Sequence, residues 1–252
     1  EKEFIQSERI QRHKDIANAL FEKRYAFKCI CDEEQLEKKR KENKKNHSAL
    51  KKLCTTCKEN KKIQNLKENY CIRIDSPSDG EISVTDKIQG KITIQNKEID
   101  NYILLRKNGL PTYMLSVVVD DNDMKVNTII RGNDHLTNTF RQIQIYKYMN
   151  WQIPEYAHLP LIHGTDGAKL SKRHGAIDIN EFKKKGYLPQ SIINNLILLG
   201  WSPKKNDELI EIDEIINNFE IGAMSKSASI FDYERLNFLN NHYLKKQENY
   251  EF

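Results

Sequence analysis

Long apolar runs are missing from this sequence. No stretch approaches the roughly 20 residues that a membrane-spanning helix needs, and no signal-peptide pattern opens it. Internal repeats and low-complexity linkers are missing too, which sets aside solenoid and fibrous architectures. The hydrophobic fraction, 38%, is low and the charged fraction, 31%, is high. That balance suits a folded protein of no membrane association with much of its charge on the surface. Five cysteines are an odd count for a disulfide framework, and four of them cluster at metal-ligand spacing, which points to a reducing, cytoplasmic setting. The net charge of +5 allows an anionic partner without demanding one. Lys, Asn and Ile are abundant, as an AT-rich genome produces, so lysine richness alone is weak evidence for nucleic-acid binding. The 252 residues suffice for two domains, or for one large domain with an insertion. The first residue is Glu1, so the chain reads as a fragment or a trimmed piece.

Along the chain, Ser7 to Arg24 reads as an amphipathic helix with Ser7 as N-cap and Ile10, Ala17, Leu20 and Phe21 on the buried face. Tyr25 to Cys31 is strand-like. Asp32 then starts a charged helix, with Gln35 completing a capping box. Lysine dominates from Lys38 to Lys62, either as a solvated face or as an RNA-backbone surface. Residues 70–105 alternate in the strand manner, with turns at Asp79-Gly80 and Gln89-Gly90. A strand at Tyr102 to Arg106 and a turn at Asn108-Gly109 follow. Tyr113 to Val119 carries a valine run expected of a strand buried on both faces, and Thr128-Ile129-Ile130 a second one. Asp134 is placed to cap a helix with Leu136, Phe140, Ile143, Tyr146 and Met149 inward. Leu159 to Ile162 gives a third strand. Strand, helix, strand at this spacing predicts a β-α-β unit of a parallel sheet, hence an α/β fold. Beyond Ala176 the chain turns helical: Pro189 opens a helix that ends before Gly200, with Ile192, Ile193, Leu196 and Leu199 as its buried stripe.

Three constellations carry chemistry. Lys169-Leu170-Ser171-Lys172-Arg173 sets two lysines and an arginine within five residues, flanked by glycines. Such a loop bends around a polyanion and neutralises charge on a phosphate chain. It lacks Walker A spacing, and a solvated basic turn is the plain alternative. Cys29-x-Cys31 and Cys54-x-x-Cys57 are two close thiolate pairs, the donor set of a tetrahedral structural zinc, with His47 between them as a substitute ligand. The alternative is reduced surface cysteines. Lone Cys71 reads as a small core residue. Lastly, Tyr113 and Arg131 both fall on expected strands. Arg131 offers a planar fork for a carboxylate, and Gly132 permits close backbone approach beside a helix start that favours anions. A buried ion pair of Arg131 with Asp120 or Asp134 is equally open. Ligands of parallel sheets sit beyond the strands' carboxyl ends, so the arginine and the lysine loop are expected on one rim.

Pro111-Thr112-Tyr113, Val118-Val119-Asp120-Asp121, Ile130-Arg131-Gly132-Asn133-Asp134-His135 and Lys169 to Ala176, with Ser225 to Ser229 and Asn240 to Leu244, together resemble the glutamyl-tRNA synthetases, class I aminoacyl-tRNA synthetases of bacterial type. The resemblance covers almost the whole chain. It implies a class I synthetase fold, with the second half of a Rossmann-like parallel sheet, a zinc-bearing acceptor-stem insertion and a C-terminal α-helical stem-contact region. The expected segments are 1–28 (end of the first Rossmann half), 29–105 (the insertion with its four-cysteine zinc site), 106–164 (the second half) and 165–252 (the lysine loop and the stem-contact helices). The implied activity is ATP-dependent activation of L-glutamate to glutamyl-adenylate and transfer to the 3′ end of tRNA(Glu). ATP, Mg2+ and a structural Zn2+ are the implied cofactors, and a cytoplasmic monomer is expected. Arg131 and Tyr113 would bind glutamate. Gly132, His135, Lys169, Ser171 and Lys172 would bind ATP, with Lys172, Lys169 and Arg173 acting on its phosphates. Cys29, Cys31, Cys54 and Cys57 would hold the metal.

The chain departs from the family pattern in several places. The His-Ile-Gly-His type motif is not in this sequence, so these 252 residues alone are expected not to form the adenylate. Asn133 stands where relatives commonly carry Glu. The cysteine spacing differs from members whose fourth ligand is His. Anticodon-binding helices expected after Leu244 are not in the sequence either. A tRNA-base-glutamylating relative and a non-catalytic tRNA-binding paralogue stay open beside the ligase, as does a choice between tRNA(Glu) alone and tRNA(Gln) in addition.

Overall fold

The structure, a computed structural model, describes residues 3–32, 34–36, 54–170, 178–202 and 208–246. It divides into two compact units. The first comprises 1–85, 91–129 and 136–156, and the second 86–90, 130–135 and 157–252. Among the described residues no helix is long and apolar enough to cross a membrane.

The first unit opens with a 3-10 turn, Gln6–Arg9, and helix α1, Ile10–Glu22. Ser7 therefore lies inside the turn and caps nothing. Ile16, Ala17 and Leu20 are buried as their spacing requires, and His13 is buried beside them. Strands β1 (Ala26–Cys29), β2 (Cys71–Ile74) and β5 (Ile103–Leu105) form one sheet in the order β1-β2-β5. β1 and β2 are antiparallel, with Cys29 opposite Cys71. Two short helices, α2 (Thr55–Glu59) and α3 (Lys61–Gln64), lie between β1 and β2 in sequence. Strands β3 (Glu81–Asp86) and β4 (Gly90–Gln95) follow. The turns at Gly80 and Gly90 need the left-handed φ of +80° and +82° found there. Asp32 and Gln35 exchange the reciprocal bonds of a capping box, Gln35 N donating to Asp32 Oδ1 at 2.8 Å and Asp32 N to Gln35 Oε1 at 3.3 Å.

Tyr113–Asp123 is not a strand but helix α4. Leu115, Val118 and Val119 are buried, as are Ser116 and Asp120. That is the i, i+3, i+4 set of one helical face, so packing overrides the strand preference of the valine run. Asp120 supplies the reason for the polar end of that face. It accepts from Arg9 Nε at 2.7 Å, His13 Nε2 at 2.8 Å and Gln6 Nε2 at 2.9 Å. Asp123 accepts a two-pronged contact from Arg12 at 2.9 and 3.0 Å. α1 and α4 are thus joined by charge as well as by apolar contact, in a core that includes Leu20, Ile72, Leu104, Leu115 and Tyr146. A fully buried Leu or Ile there contributes about 2 kcal/mol.

The Arg12 guanidinium holds Asp123 below the usual carboxylate range. Burial would raise Asp120, but its bonds from Arg9, His13 and Gln6 outweigh that and lower it. A depressed carboxylate contributes stability above its ordinary pKa and loses it as pH falls through the lowered value. Urea midpoints are therefore expected to hold above about pH 4 and to drop below it. The drop should be shallower in Asp123→Asn, and equal acid slopes would contradict the ion-pair account.

Strand β6 (Thr128–Gly132), helix α5 (Leu136–Met149) and strand β7 (Glu155–Leu159) supply the expected strand-helix-strand succession, in a sheet of order β4-β3-β7-β6. Phe140, Ile143 and Tyr146 of α5 are buried, as its periodicity predicts. β6 is not buried on both faces, since Ile130 is 56% exposed. The apolar stretch expected to be one strand from Leu159 to Ile162 is divided. β7 ends at Leu159, and β8, Ile162–His163, pairs in parallel with β9, Ser229–Ile230.

The second unit's helices are α6 (Ile179–Lys184), α7 (Pro189–Leu198), α8 (Ile212–Asn218) and α9 (Tyr233–Lys246). Pro189 opens α7 as expected. Of the expected stripe, Ile192 and Leu199 are buried, whereas Ile193 and Leu196 are exposed. Ser191, Asn194 and Asn195 take the inner face instead. Each finds a partner there: Ser191 Oγ in Asn240, Asn194 in Ile210 N and the Tyr243 hydroxyl, and Asn195 Oδ1 in Arg235 Nε. Asn240 and Tyr243, in the segment likened to a stem-contact region, are thus used in packing α9 against α7.

Candidate active site and cysteine cluster

Cys29 closes β1, Cys31 lies two residues on, and Cys57 sits in α2. Their Sγ atoms lie within 4.8 Å of one another, Cys31 and Cys57 at 3.5 Å. Cys54 is buried just before α2, in the left-handed region at φ 72°. Its carbonyl accepts from Cys57 N at 3.0 Å, closing the turn that starts α2; the close sulfur group itself comprises Cys29, Cys31 and Cys57. Cys29, Cys54 and Cys57 are buried and Cys31 is half-buried, so three of the four are not surface thiols. His47, like Ser171, Lys172, Arg173 and most of the lysine-rich stretch including Lys38, lies outside the described residues. Cys71 is buried as expected, and its thiol donates to the Cys29 carbonyl at 3.4 Å.

Hydrogen bonds from Cys54 and Cys71 hold Cys29 well below the ordinary thiol range, and the same contacts raise those two partners. Burial pushes Cys57 up to about 11. Closely packed buried sulfurs cannot all ionise unless a cation offsets their charge.

Gln64, which sequence reasoning passed over, fixes this cluster. Its amide donates to the Cys57 and Lys28 carbonyls at 2.6 and 2.9 Å, and its Oε1 accepts from Lys28 N at 2.9 Å. One side chain therefore ties α2 to the strand that carries Cys29.

The lysine loop begins in the second unit, on the return arm of a tight turn. Gly164 N donates to Ala168 O at 2.9 Å, and Leu170 N to Ile162 O at 2.8 Å. Gly167 supplies the φ of +77° that the turn needs. This turn presents Lys169, whose ammonium reaches Asp134 Oδ2 at 2.6 Å. Lys169 holds the Asp134 carboxyl below its usual range. Asp134 in turn folds back over Gly132, where an added Cβ would lie 2.6 Å from Asp134 Oδ1. A side chain at this position would displace the Asp134 carboxylate from its place beside Lys169, so Gly132 serves close approach and not backbone twist.

Arg131 lies on β6. Its Nε donates to His158 Nε2 at 3.1 Å, and its Nη2 lies 3.4 Å from the His135 carbonyl. Of the carboxylates considered as its ion-pair partners, Asp120 pairs with Arg9 and His13 and Asp134 with Lys169. His158 is fully buried on β7, and its Nδ1 lies 2.6 Å from Asp86 Oδ2. Neither His158 nor Asp86 was singled out from sequence. The available signal is a histidine between Ala157 and Leu159 in a buried strand.

Tyr113 is the first residue of α4 and 46% exposed. In the first unit it lines a cleft of about 770 Å³ with Tyr102, Arg106 and Lys107. The second unit holds Arg131, Gly132, His135 and Lys169 together.

Residues 1–238 match the family model described as class I tRNA synthetases (E and Q), catalytic domain. The chain belongs to this synthetase family. It is 46% identical over 248 residues to glutamate–tRNA ligase 1 of Ehrlichia canis, covering 98% of this chain and 52% of that protein. It is 43% identical to glutamate–tRNA ligase 1 of Beijerinckia indica over 242 residues, 95% of this chain and 50% of the relative. A crystal structure of a glutamate tRNA ligase from Elizabethkingia meningosepticum, solved with its amino acid, is similar to this synthetase chain with a TM-score of 0.82. Identity there is 28%, over 98% of this chain and 56% of the other. The enzyme from Elizabethkingia anophelis gives 0.76 at 29% identity, over 95% and 54%. The synthetase chain thus spans about half the length of the curated relatives it matches, and its fold is the mixed α/β catalytic fold of those structures.

Proposed function

We propose that the polypeptide carrying this chain is a glutamate–tRNA ligase. The observation that carries this reading is the Lys169–Asp134 contact of 2.6 Å. It joins the start of the Lys-Leu-Ser-Lys-Arg segment to the Arg131–His135 segment, two motifs 35 residues apart that share no local structural reason to meet. Support also comes from the named relatives at 43–46% identity.

In this reading Arg131 pairs with a carboxylate of glutamate through its planar fork. An oxygen of the α-carboxylate attacks the α-phosphorus of ATP and pyrophosphate leaves; a terminal ribose hydroxyl of tRNA then attacks the adenylate's carbonyl carbon and AMP departs. Lys169, Lys172 and Arg173 steady the phosphates as charge moves onto the leaving pyrophosphate. Ser171, Gly132 and His135 complete the nucleotide side, and Mg2+ accompanies the phosphates. The assignment of Tyr113 to the glutamate pocket rests on the resemblance alone.

The sulfur cluster fits a structural zinc. Thiolates about 2.3 Å from a tetrahedral ion stand roughly 3.8 Å apart, and three sulfurs here already lie within 4.8 Å. Cys29, Cys31, Cys57 and the adjacent Cys54 would hold it, fixing the insertion between β1 and β2 for contact with the acceptor stem of tRNA(Glu).

The test is charging of tRNA by the intact polypeptide with labelled glutamate. Label that is lost when the terminal ribose is oxidised with periodate beforehand is the expected result. Label retained on oxidised tRNA would favour a base-glutamylating relative. Binding of tRNA without labelling would favour a non-catalytic paralogue. Comparing tRNA(Glu) with tRNA(Gln) transcripts sets the discrimination.

A further inference from the structure

We propose that the buried Asp86–His158 pair is a positioning device for Arg131, presetting the guanidinium for its carboxylate ligand. The inference rests on the ligase reading for the identity of that ligand, but the geometry stands without it.

Arg131 Nε can only donate, so His158 Nε2, 3.1 Å away, must be the unprotonated, accepting nitrogen. The ring proton then sits on Nδ1 and is donated to Asp86 Oδ2 at 2.6 Å. The three side chains thus run in one direction, arginine to histidine to carboxylate, with a single tautomer allowed. Both inner members are fully buried, at 0% side-chain exposure.

Asp86 is anchored in its turn. Its Oδ1 accepts from Ile88 N at 2.9 Å, Gln89 N at 2.8 Å and His158 N at 3.2 Å. It is therefore locked by backbone from the turn after β3 and from β7. Desolvation lowers the His158 pKa despite Asp86, which agrees with a neutral ring. Burial alone would raise Asp86, but the bonds from Gln89, His158 and Ile88 outweigh it and keep the carboxylate ionised.

A long arginine side chain loses substantial rotamer freedom when it is fixed. An arginine held before substrate arrives has already met that cost, so less is charged against glutamate affinity. Neutral histidine is the suitable acceptor. The imidazole orients the guanidinium through Nε without adding a negative charge of its own. Asp86 and His158 do not touch substrate in this account; they act through Arg131.

The experiment compares His158→Leu and His158→Gln in the intact polypeptide. The glutamine carbonyl can accept from Arg131 Nε where leucine cannot. Glutamate-dependent ATP–pyrophosphate exchange is measured with tRNA present, at varied glutamate and varied ATP. His158→Leu is expected to raise the KM for glutamate about ten- to hundredfold, with the KM for ATP little changed and His158→Gln recovering most of the loss. In an Arg131→Lys background, His158→Leu should add little. Equal losses for both substrates, or no rescue by glutamine, would make His158 merely structural and overturn the proposal.

The tautomer is read independently, by nitrogen NMR of 15N-histidine-labelled protein. A proton on Nδ1 with bare Nε2 is expected. A proton on Nε2, or a doubly protonated ring at neutral pH, would refute the relay whatever the enzymology shows. Absence of any glutamate-dependent exchange in the unsubstituted polypeptide would instead refute the ligase reading, and with it the glutamate role of the relay, while the NMR result still decides its geometry.

Discussion

Arg131→Leu is expected to lower kcat/KM for glutamate by about a hundred- to a thousandfold. Losing one partner of a hydrogen-bonded charge pair costs about 2–5 kcal/mol, and each 1.4 kcal/mol is tenfold. Leucine fills much of the same volume, so a general collapse of β6 is not the source. The loss should fall on glutamate and spare ATP, because Arg131 contacts His158 from β6 while the proposed reading gives the phosphates to the lysine loop. Arg131→Lys should recover only part of the activity, since an ammonium keeps the charge but not the fork. Exchange kinetics with each substrate varied in turn check this. Equal loss for ATP, or full activity in the lysine variant, would contradict it.

Removal of the proposed zinc is the second large effect. In the intact polypeptide we expect about one zinc per chain, and Cys57→Ser should lose it, because a hydroxyl is a far poorer ligand than a thiolate. Among its described residues the insertion between β1 and β2 buries few side chains besides the cysteines. Its buried cluster is Phe27, Leu36 and four cysteines, and α2 and α3 are only five and four residues long. Structural zinc supplies folding free energy directly. Loss of the ion should therefore lower Tm by several degrees, with early melting of this segment seen in hydrogen exchange, and should weaken tRNA binding more than adenylate formation. Metal analysis beside thermal unfolding checks it. A zinc-free preparation with unchanged Tm in Cys57→Ser would contradict the assignment.

The motifs were legible in the sequence because they combine residue types with rigid spacing. Arg131 to His135 falls at a strand end, and the lysine segment begins on a turn at Gly167, as their composition implies. The strand-helix-strand succession and the α5 face were legible because both follow a clean period. The Val117 to Val119 run misled because β-branched residues also pack well in a helix when a partner helix covers them, and the covering α1 lies about a hundred residues away in sequence. Polar members of buried faces, Asp120, Asn194 and Asn195, were invisible for the same reason. Their partners Arg9, Tyr243 and Arg235 are distant in sequence, so hydropathy alone ranks such positions as exposed. His158 and Asp86 were missed on that ground too, although an isolated histidine within Tyr156-Ala157-His158-Leu159 is the kind of residue to ask about.

The most direct measurement is glutamate-dependent ATP–pyrophosphate exchange by the intact polypeptide, with and without tRNA. The account predicts exchange that requires glutamate, is not supported by other amino acids at equal concentration, and falls in Arg131→Leu. Exchange that ignores glutamate, or none at all under conditions where tRNA still binds, would contradict the claim that this fold activates glutamate.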